Sequence, residues 1–418
     1  MKQSKVHYAW WILLSCCAIA FVGIGLVWNT AGLFYTPVCK DLGFTRAQIS
    51  LMSTIQSLAC VVAFPYSGKI FRKKDVRLTL SVSFAVICVA EICASLFHNL
   101  ISFYIMGAIT GLAQPIAVAL SSSTLLNNWF SKKVGTAIGI STATSGIGGM
   151  IFSPIVTKII TESGWRAAYR FIGIVGLIII LPFTLFVVRS KPADKGLLAY
   201  GQDTDAKTDK KDISQSGLTL KEARKTKEYV LIIIALMAVS MVAGVTQHVS
   251  SHVVNVGFTL EDGGLVVSAL MFGAAVGKLT LGGLFDKVKP TIAMLIFAVF
   301  GFLGWSGLSL HVSKTELIAS GFLIGLAQAI LFVAFPYYLR KIFGLKEYVS
   351  IYASISIFGS LSVAAMTYIT GWVFDLTKSY TLILLINACL FILAYLCLTT
   401  ALHLSVKRGE KENEPAKE

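Results

Sequence analysis

Long apolar runs, separated by short polar loops, follow one another along almost the whole chain. A helix needs about 20 apolar residues to cross the hydrocarbon core of a bilayer, and each run is about that long. The pattern therefore predicts an all-α membrane protein with twelve transmembrane helices. The predicted spans are residues 9–34, 46–67, 78–97, 101–125, 135–160, 167–188, 229–251, 262–285, 290–311, 315–339, 348–373 and 379–402.

The longest polar interval divides these runs into two sets of six. We expect this interval to be a soluble cytoplasmic linker, partly helical near residues 220–227, and we expect the charged residues 407–418 to be disordered. The predicted units are an N-terminal six-helix half (1–188), the linker (189–228), a C-terminal six-helix half (229–402) and a cytoplasmic tail (403–418).

Composition supports this class. Of the 418 residues, 56% are hydrophobic and 14% are charged, whereas soluble domains average about 25% charged. The net charge of +15 does not indicate nucleic-acid binding, because the basic residues lie in short loops between apolar runs. One set of alternate loops is richer in Lys and Arg, so the positive-inside rule predicts a cell-membrane protein with both termini in the cytoplasm.

Catalytic and metal-binding patterns are not evident in the sequence. The eight cysteines form no CxxC and no Cys/His cluster, so we expect buried apolar residues and neither metal nor cofactor. We do not expect an enzyme, because no Ser/His/Asp set or phosphate-binding loop is found. The first run has no convincing cleavage site, and we expect it to be a retained span.

One lysine, Lys278, lies deep inside an apolar run, at residues 264–284. A charge near the bilayer centre costs roughly 2.5–3.5 kcal/mol on insertion scales. We favour the interpretation that Lys278 anchors an anionic substrate in a central cavity. The alternatives are an ammonium that reaches the cytoplasmic headgroups, and a structural ion pair with another span.

Two similar loops follow the second and the eighth runs, namely Gly68-Lys-Ile-Phe-Arg72-Lys-Lys-Asp75 and Gly282-Gly-Leu-Phe-Asp286-Lys-Val-Lys289. Their matching positions indicate a six-plus-six repeat, which is typical of transporters. The loops resemble the G-x-L-x-D-R/K-x-G-R/K motif of the major facilitator superfamily. This resemblance implies a latch at the cytoplasmic face that involves Gly282, Asp286 and Lys287. In the first copy Arg72 replaces the motif carboxylate, and Asp75 is the candidate substitute beside Gly68.

Four further stretches resemble the monocarboxylate porter branch, which includes the oxalate:formate antiporter group. They are residues 32–50, 128–139, 164–169 and 191–201, in the order of that branch. The resemblance covers nearly the full chain. It implies a secondary transporter that moves a small organic monoanion by alternating access, by proton symport or anion exchange.

The same resemblance bears on the substrate. Related porters carry a basic residue, usually Arg, at the position of Lys278, and it binds the substrate carboxylate. The oxalate type has a second lysine where this chain has Tyr352. Two carboxylates facing one lysine would leave one charge poorly compensated, so we predict a monoanion in preference to oxalate. The Tyr352 hydroxyl either binds the substrate or packs.

Other cavity candidates are aromatic or amide residues. Tyr35 matches a cavity tyrosine of the oxalate porter type. Gln328 and Phe332 stand where that type has two cavity aromatics. Further substrate-binding candidates are Trp28, Asn29 and Gln114, and for each of them helix packing or an internal hydrogen bond is the alternative role.

Three titratable residues in the spans also stand out. We favour the interpretation that Glu91 reaches the outer interface or makes one neutral hydrogen bond, and the alternative is that it carries a proton. His248 and His252 are one helical turn apart, but two ligands make a weak metal site, so we expect polar residues at the pore mouth.

Glycines indicate where helices approach closely. Gly135 and Gly139 in the fifth span, and Gly273 and Gly277 in the eighth, form small-xxx-small faces.

Two other functions remain open at this point. One is efflux of drug-like or lipophilic compounds, which would depend little on Lys278. The other is a non-transporting membrane sensor, which would usually carry a larger soluble domain than this linker or tail. The expected partners are a small organic anion, a proton or counter-anion and the lipid bilayer, with no nucleic acid and no second subunit.

Overall fold

The structure, a computed structural model, describes residues 7–73, 75–201, 217–310, 313–344 and 346–413. A few helical side chains within these ranges, among them that of Asp286, lie outside the description, as do the surroundings of Gly68. The described residues form helices and two isolated bridges, with no strand.

The helices are listed here as α1–α16 in chain order. They are Ala9–Ala18, Tyr35–Leu42, Arg46–Lys73, Val76–Ala94, Leu100–Gln114, Ser121–Trp129, Val134–Pro182, Leu220–Ala223, Lys227–Thr246, Val249–Asn255, Leu260–Lys287, Pro290–Leu310, Lys314–Ala329, Phe335–Phe343, Tyr348–Thr377 and Thr381–Asn413. The π-helical segments are Ile19–Trp28, Pro115–Leu120, Phe183–Val187 and Ile330–Ala334, and the 3-10 segments are Ala31–Phe34 and Pro192–Lys195.

Among the described residues, eleven helical segments are long and apolar enough to cross a bilayer. The longest, Thr136–Val187, makes two passes, because Gly164 leaves the helical conformation at φ 82° and ψ 162°. Glycine adopts this positive φ without a steric penalty from Cβ. The break falls between the predicted fifth and sixth spans. The prediction of a twelve-helix membrane protein is therefore confirmed.

Polar side chains define where many of the helices begin. Each accepts a hydrogen bond from a backbone N–H in the first turn, which otherwise has no partner within the helix. The capping residues are Asp75 for α4, Asn99 for α5, Thr219 for α8, Thr226 for α9, Thr259 for α11 and Ser313 for α13. At Thr219, hydrogen bonds to Glu222 complete a capping box and lower the pKa of the Glu222 carboxyl.

The described ends of the linker contact different sets of spans. The ring of Tyr200 packs against those of Trp10 and Phe130, with centroids 5.5 and 5.6 Å apart. The backbone N–H of Leu218 donates to the Phe343 carbonyl at 2.8 Å. One end is therefore held by the first six spans and the other by the last six. Residues 202–216 lie outside the described residues.

The last helix is longer than the sequence predicts, because it continues to Asn413 where disorder was expected from residue 407. An ion pair explains part of this extension. The Arg408 guanidinium lies 3.0 Å from the buried Glu228 carboxylate and also donates to the Ile342 carbonyl at 2.9 Å. Residues 414–418 lie outside the description.

Glycines allow the closest helix contacts. A Cβ on Gly273 would lie 2.2 Å from the Phe322 carbonyl oxygen, and one on Gly277 would lie 2.5 Å from that of Leu326. The predicted close approach therefore occurs at these two residues, between α11 and α13. It does not occur at Gly139, where a Cβ would have no neighbour within 4 Å. The surroundings of Gly135 lie outside the description.

The two sets of six spans meet at one end of the bundle, where α3 and α11 begin and α15 ends. We call it the closed end, and the opposite end, which holds the linker, the linker end. At the closed end the Asp375 carboxylate accepts hydrogen bonds from the backbone N–H groups of Arg46 at 3.0 Å and Ala47 at 2.8 Å. Asp375 on α15 thus caps the first turn of α3 across the interface.

Further hydrogen bonds join the two sets of spans. Thr54 Oγ1 donates to the Ala364 carbonyl at 2.8 Å, and Ser268 Oγ donates to that of Met150 at 2.7 Å. Thr54 and Ser268 both lie in the first halves of their helices, α3 and α11. These hydrogen bonds between the two sets therefore lie toward the closed end of the bundle.

We expect Gly273→Ala to lower the free energy of unfolding by about 1–3 kcal/mol, because the added methyl group overpacks the contact with α13. Gly139→Ala is the matched control. It should be neutral or stabilising by about 0.5–1 kcal/mol, because alanine favours the helix and meets no neighbour. Thermal unfolding of the purified variants measures both changes, and equal effects would contradict the close approach.

We expect Asp375→Ala to weaken the closed end by about 0.5–2 kcal/mol, the usual value of a helix cap. Spin labels at Glu162→Cys and Glu261→Cys, in an otherwise cysteine-free chain, report the separation of α7 and α11. The fraction of molecules in which the two labels are farther apart should rise in Asp375→Ala. Ser313→Ala, which removes a cap within one set of spans, should leave it unchanged. Identical distances in parent and Asp375→Ala would refute the role of this cap.

Candidate functional site

A cavity lies between the two sets of spans and consists of two lobes of about 220 Å³ each. The lobes share a wall formed by Trp28, Ala243, Gln247, Leu331 and Phe332. We name them by their charged residues, the Lys278 lobe and the Glu91 lobe. The Lys278 lobe is also lined by Asn29 and Gln328, and the Glu91 lobe by Gln56, Thr110 and Tyr169.

Lys278 projects from α11 into the cavity and is half-buried. Its ammonium nitrogen lies 4.6 Å from the centroid of the Phe332 ring, which is a cation–π contact. No carboxylate among the described residues lies within ion-pair distance of it. The positive charge therefore faces the cavity with an aromatic neighbour and without an acidic partner from the described part of the chain.

The aromatic residues of the shared wall lie in π-helical segments. Trp28 ends the segment Ile19–Trp28, and Phe332 lies within Ile330–Ala334. Wider helical turns of this kind are frequent at functional sites, because they redirect side chains out of the regular α-helical register. Phe332 is 56% exposed although it lies in the middle of a span, and it lines both lobes.

Three glutamines face the cavity with free amide groups. Gln247 and Gln328 line the Lys278 lobe, and Gln56 lines the Glu91 lobe. Their side chains make no hydrogen bond with any other described residue. Asn29 differs, because its amide nitrogen donates to the Ser145 carbonyl at 3.2 Å. Sequence reasoning missed Gln56 and Gln247. The sequence feature that could have identified them is an amide side chain within an apolar run, because such a group is costly in the membrane unless it has a partner.

Glu91 lies on α4 at the wall of the second lobe and is only 7% exposed. In the part of the chain that the structure describes, its carboxyl has neither a hydrogen bond nor an ion pair. This placement differs from both favoured roles, at the outer interface or in one neutral hydrogen bond. Glu91 instead leaves an unpartnered carboxyl facing the lobe that Gln56 and Tyr169 also line.

Several predicted residues lie outside the two lobes. Tyr35 is 1% exposed and its hydroxyl is hydrogen-bonded to that of Ser53 at 2.7 Å. Tyr352 stacks on Tyr348 at 6.0 Å. Gln114 borders a smaller adjoining space, where its carbonyl oxygen is buried without a hydrogen bond. The structure thus brings together Lys278, Trp28, Asn29, Gln328 and Phe332 but not the two tyrosines.

The two histidines are interior residues, and the expectation of a polar pore mouth was wrong. His248 Nε2 lies 2.9 Å from the Thr367 carbonyl, and His252 Nε2 lies 2.9 Å from that of Leu308. Each ring is 1% exposed and packs against Tyr380. Carbonyl partners require a protonated Nε2, which fixes the orientation of each ring. Within the described ranges, no group of three or more metal-ligating residues occurs.

The predicted latch residues have local roles where they are described. Asp75 caps α4, and its carboxylate also pairs with Arg77 at 2.9 Å. The hydrogen bonds from Arg77 lower the pKa of Asp75. Gly282 lies within α11 and Lys287 is exposed in its last turn. The surroundings of Gly68 and the side chain of Asp286 are outside the described set, so a latch at these positions stays a prediction.

Comparison with known families supports the architecture. The chain matches the family model described as Major Facilitator Superfamily over residues 16–313 and 253–418. These two segments overlap and together leave only the first residues unmatched.

Sequence relatives are distant. The uncharacterized MFS-type transporter YcxA of Bacillus subtilis is 23% identical over 191 residues, 46% of this chain and 47% of that protein. The oxalate:formate antiporter of Oxalobacter formigenes is 25% identical over 178 residues, 42% of this chain and 41% of that protein. The chain thus spans less than half the length of either relative.

Solved structures share the fold over nearly the whole chain. A bacterial homologue of the human lysosomal transporter Spinster, inward-facing and occupied, has a TM-score of 0.71 at 12% identity and covers 97% of this chain and 98% of that one. The nucleoside transporter NupG has a TM-score of 0.69 at 14% identity, with 95% and 99% covered. At these identities the likeness concerns the fold alone.

Proposed function

The chain belongs to the major facilitator superfamily, and from that premise we propose that it moves a small organic monoanion, a monocarboxylate, across the cytoplasmic membrane by alternating access. Transport as such follows from family and fold. The proposal of the substrate class rests on Lys278, whose charge faces the cavity.

The supporting observation is a cation that faces the cavity without an acidic partner among the described residues. An unpaired charge inside a membrane protein is costly, and a bound carboxylate would offset that cost directly. The neutral complex would then be easier to enclose than the empty site. Binding of the substrate would thereby favour the occluded intermediate, in which the cavity is shut at both ends. The cavity passes through this intermediate when its access switches from one side of the membrane to the other.

The number of cations favours a single carboxylate. Lys278 is the one Lys or Arg among the described residues that line the two lobes. Tyr352, which replaces the second lysine of the oxalate porter type, lies outside both lobes. A lysine also offers a point charge and not the planar fork of an arginine, so binding should tolerate carboxylates of varied orientation.

Opening and closing would exchange contacts at the two ends of the bundle. In this state the closed end is held by Asp375 and the first turn of α3. The basic loops at the linker end support a cytoplasmic location for that end and for both termini. We propose the two six-helix halves 1–188 and 229–402 as the moving units, in a monomer.

Coupling would use a proton or a counter-anion. Glu91 is the candidate proton carrier, because an enclosed carboxylate that lacks a partner becomes neutral when it binds a proton, and it releases that proton when it is exposed to water again. In exchange, a second monoanion would occupy Lys278 on the return step. Uptake into proteoliposomes with and without a pH gradient separates these two modes.

We expect Lys278→Gln to lower the affinity for monocarboxylates by about tenfold to a hundredfold, the usual value of a charged hydrogen bond. Lys278→Arg should retain most of it, because the charge is kept. Lys158→Gln, at an exposed lysine paired with Glu162, is the control and should match the parent.

Counterflow of a panel of labelled monocarboxylates in proteoliposomes measures this effect. Transport by Lys278→Gln at the parent rate would rule out the carboxylate anchor. Equal transport of neutral lipophilic compounds by parent and Lys278→Gln, without any carboxylate flux, would favour efflux instead.

A further inference from the structure

The cavity is chemically asymmetric. The Lys278 lobe offers a positive charge, whereas the Glu91 lobe offers a carboxyl together with the amide of Gln56. Between them stand the aromatic rings of Trp28 and Phe332, which line both lobes. Gln247 also lines both lobes. A ligand that bridges the lobes therefore needs one anionic end, a largely apolar middle that passes this single amide, and a different polar group at its other end.

The polar groups of the Glu91 lobe call for a partner. Buried polar side chains are nearly always hydrogen-bonded, and an unsatisfied one costs about 1–3 kcal/mol. Glu91 is 7% exposed and has no partner among the described residues. The Gln56 side chain, in the same lobe, is half-buried and has no partner among the described residues either. Two unpartnered polar groups at one wall thus point to a ligand group that binds there.

We propose that the substrate is a hydroxylated monocarboxylate, whose carboxylate binds Lys278 and whose distal hydroxyl binds Glu91 and Gln56. This inference rests on the proposed function, because it assumes that the carboxylate is bound at Lys278.

A hydroxyl fits these groups better than the other substituents. It both donates and accepts, as do the amide of Gln56 and a protonated carboxyl. An ammonium only donates, so it would leave the Gln56 N–H groups unsatisfied, and it would require Glu91 to be ionised inside the bundle. An alkyl end would leave both groups unpaired. A second carboxylate would face Glu91 as a like charge whenever Glu91 is ionised.

The test uses the purified full-length protein and three matched series of straight-chain acids. They are butyrate and hexanoate, their ω-hydroxy forms and their ω-amino forms, and the two lengths sample the unknown separation of the groups. Ligand-dependent shifts of the unfolding temperature give the affinities. We expect the parent to bind the hydroxy acid of at least one length about tenfold more tightly than the unsubstituted acid.

Variants of residues in the Glu91 lobe test whether these residues cause the preference for hydroxylated acids. Glu91→Leu should abolish the hydroxyl preference, so that the hydroxylated and the unsubstituted acid of each length bind with equal affinity. Glu91→Gln should retain most of the preference, because an amide still donates and accepts. Gln56→Leu should reduce it, which provides an independent test if Glu91→Leu does not fold. Glu162→Gln, at an exposed carboxylate, should match the parent.

Three results would overturn the inference and leave the proposed function intact. The first is equal binding of hydroxylated and unsubstituted acids at both lengths, and the second is an unchanged preference in Glu91→Leu. The third is tighter binding of the ω-amino forms, which would assign an ammonium to the Glu91 lobe. Undiminished binding of all acids by Lys278→Gln, or no binding of any acid by the parent, would instead overturn the proposed function and this inference with it.

Discussion

An ammonium group enclosed by a membrane protein must be compensated, and at Lys278 the described part of the protein supplies only the face of the Phe332 ring. A cation–π contact contributes about 2 kcal/mol when it is desolvated, which is less than the cost of an unpaired charge in the membrane. The architecture accommodates the difference by placing the charge in a cavity. The cavity lies at the seam between the two sets of spans, and Trp28 and Phe332 in its wall belong to wide helical turns.

The membrane architecture could be predicted from sequence because the bilayer imposes a single rule on the backbone. Each polar backbone group in the hydrocarbon core must be bonded within its own helix, so length and hydropathy identify the spans. Length and hydropathy did not predict the extension of α16 to Asn413, because it depends on the ion pair between Arg408 and Glu228, which are far apart in sequence. They did not predict the π-helical segments either, since these change the hydrogen-bond register without changing hydropathy.

The site could be predicted only in part, because sequence gives the depth of a residue in a span better than the direction of its side chain. Lys278 and Phe332 were identified, one by its charge and the other by family resemblance. The same resemblance placed Tyr35 in the cavity and left Tyr352 open between substrate binding and packing, and both rings pack outside the two lobes. Gln56 and Gln247 were missed, because a helix that is apolar on nearly all faces carries little periodic signal to show which face lines a cavity.

The cap formed by Asp375 has a consequence for the energetics of gating. Its acceptor oxygens bind the N–H groups of Arg46 and Ala47, which water can also bind once the halves separate. The net value of such a bond is small, because protein and solvent partners are nearly equivalent. A seal made of exchangeable bonds at a helix end keeps the shut and open states close in free energy. Modest ligand binding energy is then sufficient to shift the population from one state to the other.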